Sequence, residues 1–167
     1  MSSSVASVPE TEKQLPLLFQ YTVEAYKAFQ KLAELLPNPL AANTFKNFAE
    51  DERANRGLLV LRYNDPATSR MKITLPGDFA FHDMLEGDLN NREIAEMLIA
   101  RERTMERKLS EWASGGPDSD RNLFQYIAGT KRSHIAELER ELAMIGSYPD
   151  WFRREDAVSL VVQGQPE

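Results

Sequence analysis

The chain contains no cysteine. That one absence removes disulfides, thiolate nucleophiles, Cys-ligated zinc, iron–sulfur clusters and rubredoxin-type iron. It suits the cytosol, where thiols stay reduced. Basic charge is in short supply as well. Twenty Lys and Arg stand against 26 Asp and Glu, a net charge of −6 over 167 residues. That balance argues against a nucleic-acid partner and against docking on an anionic membrane. No apolar run approaches the roughly 18 residues that span a bilayer. The first residues, Met1 to Pro9, lack the basic-then-apolar pattern of a signal peptide. These absences lead us to expect a cytoplasmic protein. Its parts are a disordered N-terminus over 1–10, one domain over 11–155 and a loose tail over 156–167.

What is present is helical periodicity. An apolar fraction of 42% supports a real core in a chain of this length. Four long segments carry apolar stripes at helical spacing. The first runs from about Glu12 to Leu36, with Pro16 in its first turn, and is stopped by Pro37-Asn38-Pro39. The second runs from Pro39 to about Tyr63. After a long connection the third opens at Asn90 or Asn91, where Glu93 is placed for a capping box, and runs to about Ala113. The fourth runs from Asp118 or Ser119 to Gly146.

Within the connection, residues 73–75 are expected to be extended and a short helix to run over 79–85. Trp151 and Phe152 should pack on the bundle from one more short helical piece. Residues 158–162 could pair as an edge strand. Short loops make helices one and two, and three and four, antiparallel neighbours. The fold class expected is all-α, a four-helix bundle with one long crossover between helices two and three, the ferritin-like topology.

Each stripe is interrupted near its middle by polar residues. Helix one offers Thr22, helix two Glu52 and Asn55, helix three Glu102, and helix four Lys131 and His134. The pairs at i and i+3 share a face, so all six residues can converge on one layer. A Lys and a His in an apolar stripe must find partners there, because an unpaired buried charge is costly. Glu52, Glu102 and His134 are the candidate metal ligands, since two carboxylates and an imidazole can hold zinc, iron or manganese. The plainer alternative is an ion-paired layer in which Lys131 satisfies both carboxylates. Lys131 as a buried base or amine nucleophile, and His82 as a ligand, are weaker alternatives. Tyr21 and Tyr26 read as core aromatics. The spread-out methionines read as core filler.

The stretch Phe48 to Asn55 resembles the second-helix signature of rubrerythrin-like proteins of the ferritin superfamily, with Asn55 in place of His. Ala100 to Ala113 is similar to their third helix, and Lys131 to His134 to their second Glu-x-x-His, with Lys in place of Glu. The resemblance implies a carboxylate-bridged di-iron centre that reduces peroxide or oxidises iron. It carries Glu52, Glu102 and His134 to ligand positions; Thr22, Asn55 and Lys131 depart from the pattern. A two-metal site needs several anionic oxygens, so a di-iron cluster is not expected here. The expected function is a binding or structural role, not an enzymatic one, in a homodimer. The alternative is a metal-binding oxidoreductase that keeps iron or another divalent metal at Glu52, Glu102 and His134. A third expectation is a small-molecule pocket beside Lys131, where the smaller Thr22 and Asn55 leave room. An anionic ligand there would be held by Lys131 and His134.

Overall fold

A computed structural model describes residues 10–70, 72–81, 89–116 and 118–163. Every regular element among them is helical. The four long helices are α1 (Glu10–Leu35), α2 (Pro39–Tyr63), α4 (Asn91–Gly115) and α5 (Asp118–Ser147). The short pieces are α3 (Pro66–Ser69), a 3-10 turn (Trp151–Arg153) and α6 (Ala157–Gln163). α1 packs chiefly on α2 and α4 chiefly on α5, with α2 also touching α5. No helix among the described residues is long and apolar enough to cross a membrane.

The boundaries follow from local chemistry. Asn38 caps α2, its side chain accepting from the Leu40 and Ala41 N–H groups, with Pro39 at the first helical position. Asn90 and Glu93 form the capping box of α4. Pro16 is not in a first turn. α1 begins at Glu10, so Pro16 sits inside the helix and cannot supply the N–H that the carbonyl of residue 12 would ordinarily accept.

The crossover contributes to the core. Leu75, Phe79 and Phe81 are buried, and the rings of Phe79 and Phe81 lie 6.0 and 5.3 Å from that of Tyr21. Arg101 holds this segment by donating to the Ala80 carbonyl at 2.7 Å. Residues 73–75 are not in a strand, and 79–81 are not helical. The rest of the expected 79–85 helix, His82 included, lies outside the described residues, as do residues 1–9 of the expected disordered start.

The C-terminal segment departs from expectation. Val158 to Val162 is helical within α6. With no strand edge among the described residues to pair with, this β-branched run satisfies its backbone internally and buries Ala157. Before it, the 3-10 turn closes one end of the helices. Asn38 donates to the Trp151 carbonyl at 2.7 Å, the Phe152 N–H donates to Asn91 at 2.8 Å, and the Trp151 indole donates to Glu141 at 2.5 Å.

Candidate functional site

Four side chains from three helices meet in the core: Glu52 of α2, Glu102 of α4, and Lys131 and His134 of α5. None is more than 1% exposed. The Lys131 ammonium donates to Glu52 Oε1 and lies 3.4 Å from Glu102 Oε2. The i, i+3 spacing of Lys131 and His134 on α5 turns both toward the same carboxylates. His134 Nδ1 lies 2.6 Å from Glu102 Oε1, and its Nε2 lies 2.8 Å from Asp51 Oδ2. The imidazole is stacked on Phe48, centroids 4.1 Å apart, which fixes its plane.

Both ring nitrogens of His134 face carboxylates, so both carry hydrogen and the ring is an imidazolium. Burial alone would lower its pKa. The hydrogen bonds to Asp51 and Glu102 outweigh burial and raise it from 6.5 to about 9. Glu102 accepts from three directions, because the Tyr21 hydroxyl also donates to its Oε2 at 2.5 Å. Burial would raise Glu102 as well, but the Lys131 charge and the hydrogen bonds from His134 and Tyr21 carry it down to about 2. Lys131 is raised: burial opposes its charge, and the two carboxylates more than restore it. Tyr21 is raised by burial and by the same carboxylates, so it stays a neutral phenol that donates.

Glu52 differs. Burial raises its pKa more than Lys131 lowers it. Its second oxygen, Oε2, accepts no hydrogen bond from any described residue.

The six expected layer residues are all buried, but only four converge. Thr22 donates back to the Phe19 carbonyl at 2.7 Å in its own helix. Asn55 donates to Thr130 at 3.0 Å and leaves its own carbonyl oxygen unpaired among the described residues. Nor are Lys131 and His134 free to hold an anion, because carboxylates already take them up. Asp51 and Tyr21 join the network although the apolar stripes did not point to them. For Asp51 the signal was adjacency to Glu52; for Tyr21 it was adjacency to Thr22 on a face that turns out to be fully buried.

One donor atom from each of Glu52, Glu102 and His134 lies within 4.8 Å of the others, so the three could enclose a cation. The surrounding chemistry weighs against it. The ammonium of Lys131 bridges the two carboxylates where a metal would sit, and an imidazolium has no lone pair to offer. With Thr22 and Asn55 engaged elsewhere, these residues do not fit a di-iron cluster.

No protein-family model matches the chain, and no curated protein matches it. Among solved structures, a hypothetical protein from Pyrococcus furiosus is similar, with a TM-score of 0.64 at 15% identity. The match covers 87% of this chain and 96% of that one, and at this identity the likeness is one of fold.

Proposed function

We propose that the chain is a ferritin-like four-helix bundle, related to rubrerythrin-like proteins, in which an internal ammonium has replaced the metal cluster. Its role is then binding or structural, not redox catalysis. One observation carries this reading: Lys131, with no exposed surface, is hydrogen-bonded to Glu52 and within 3.4 Å of Glu102. The two cations Lys131 and His134 balance the two buried carboxylates, so the layer is electrically complete without a metal. Homodimerisation through a helix face and a cytoplasmic location belong to the same reading. Light scattering at twice the chain mass checks the first of these.

The second reading, a metal-binding oxidoreductase, is favoured by the clustering of Glu52, Glu102 and His134 donor atoms within 4.8 Å. Metal analysis of protein purified without chelator separates the two. Near-stoichiometric iron, manganese or zinc that disappears in Glu102→Ala overturns the first reading. Protein that is metal-free, and stays so after iron loading, overturns the second. The family relationship has its own test: the triple variant Thr22→Glu, Asn55→His, Lys131→Glu should gain iron affinity, and failure to bind iron would refute the ligand register.

A further inference from the structure

The outer groove between α1 and α2 holds two open hollows that meet at Tyr26, both lined by these two helices alone. One, of about 270 Å³, has Ala33 and Ala49 in its wall and Glu34, Glu50 and Lys46 around it. The other, of about 210 Å³, has Val23 in its wall with Arg53 and Arg56. Pockets that enclose a ligand run to about 300–1,000 Å³, and a benzene ring already takes about 150 Å³. Each hollow therefore has room for about one large side chain, which is the relief of a surface that interdigitates with another protein. Glu52 has no exposed surface, so the second hollow is walled by Val23, Tyr26 and the methylene stems of the arginines. The two hollows differ in sign. Glu34 and Glu50 are exposed at the first, and Lys46 offsets one of them. Arg53 is exposed and Arg56 half-buried at the second. None of these five charges has an ion-pair partner among the described residues. Along α2 the sign changes between Glu50 and Arg53, at the level of Tyr26.

We propose that two copies of the chain pair through this groove, antiparallel about a two-fold axis at Tyr26, with Arg53 and Arg56 of each over Glu34 and Glu50 of the other. The proposal rests on the homodimer reading above and gives that dimer its face. A two-fold axis lying in the interface and across the helices reverses their direction. It sets the basic hollow of each copy on the acidic hollow of the other, twice over. A parallel pairing would set arginines on arginines. Net charge narrows the choice further. Each chain carries −6, so most approaches of a second copy are repelled. A groove whose arginines lack acids of their own is an approach that attracts one. Val23 and Tyr26, both half-buried, supply the apolar contact at the centre, and the charges at the rim fix the register.

The test is sedimentation equilibrium on the full chain, with circular dichroism establishing that each variant is folded. Arg53→Glu combined with Arg56→Glu should weaken self-association about tenfold or more, because like charges then face each other on both sides of the axis. Glu34→Arg combined with Glu50→Arg should do the same. An equimolar mixture of these two double variants should recover pairing, because acid then faces base on both sides. Native mass spectrometry reads that recovery as the mass of the mixed dimer. Lys46→Glu removes the one mismatched charge and should tighten the wild-type dimer roughly threefold. Dimers that persist undiminished in both double variants overturn the proposal and leave homodimerisation through another face standing. A mixture that stays monomeric overturns it as well, as does Lys46→Glu that fails to tighten pairing. Wild-type chain that stays monomeric up to about 1 mM overturns the homodimer reading together with the proposal.

Discussion

Glu52 and Glu102 are both fully buried, both carried near the middle of a long helix, and both within reach of the same ammonium. Their remaining contacts differ. Glu102 accepts from Tyr21 and His134 as well, and its pKa is held near 2. Glu52 has Lys131 and, among the described residues, one oxygen without a donor, and its pKa is raised. Equal burial therefore does not make equal chemistry. What decides is how many donors the neighbouring helices supply to each oxygen. α1 supplies Tyr21 to Glu102, whereas facing Glu52 it supplies Thr22, whose proton is spent on its own backbone. One carboxylate is a structural anchor; the other is the layer's open valence.

Three experiments bear on this contrast. The largest effect is expected from Lys131→Met, which leaves two buried carboxylates without their shared cation. Breaking one partner out of a buried ionic network costs about 3–5 kcal/mol, read as a shift in the urea midpoint at unchanged m-value. A loss below about 1 kcal/mol would mean that the carboxylates share a proton and need no ammonium. Next come the two single neutralisations. Glu102→Gln should lose about 2–3 kcal/mol and Glu52→Gln about 1 kcal/mol, because the first gives up several charge-assisted hydrogen bonds and the second one. The reverse order would break the comparison.

The third test concerns pH. His134 has a folded pKa raised from 6.5 to about 9. Its contribution is thus complete below pH 6.5 and is lost as pH rises from 6.5 to about 9, about 3 kcal/mol in all. Thermal melts across that window should show the fall. In Asp51→Asn the fall should be shallower and end at lower pH, since the half-exposed Asp51 is one of the partners holding the proton. A melt that is flat from pH 6.5 to 9 would show that His134 is neutral when folded.

Much of the architecture was legible in the sequence. The α2 limits coincide with those expected, and α4 and α5 fall within two residues of them, because the caps at Asn38 and Asn90 and the stop at Gly116 act locally. The polar layer could be found because Glu52, Glu102, Lys131 and His134 sit in phase with apolar stripes. Its wiring could not. Periodicity places a residue on a face, but it does not say that Asp51, itself exposed and off the stripe, reaches His134 across two helices. Nor does it say that Thr22 turns back on its own helix. The helical 158–162 run shows the converse limit: β-branched residues favour a strand only where a strand edge exists to receive them.

The turn at Trp151–Arg153 ties together parts of the chain made at very different times. Asn38, which caps α2 at its start, completes its hydrogen bonding on the carbonyl of Trp151, 113 residues later, while Phe152 does the same for Asn91. During synthesis the α1–α2 hairpin can form early from local contacts, yet its loop end stays unsealed until residue 152 has left the ribosome. Closure at that end therefore depends on a segment more than 110 residues downstream of the cap it completes, so the aromatic latch couples the start of α2 to the far part of the chain.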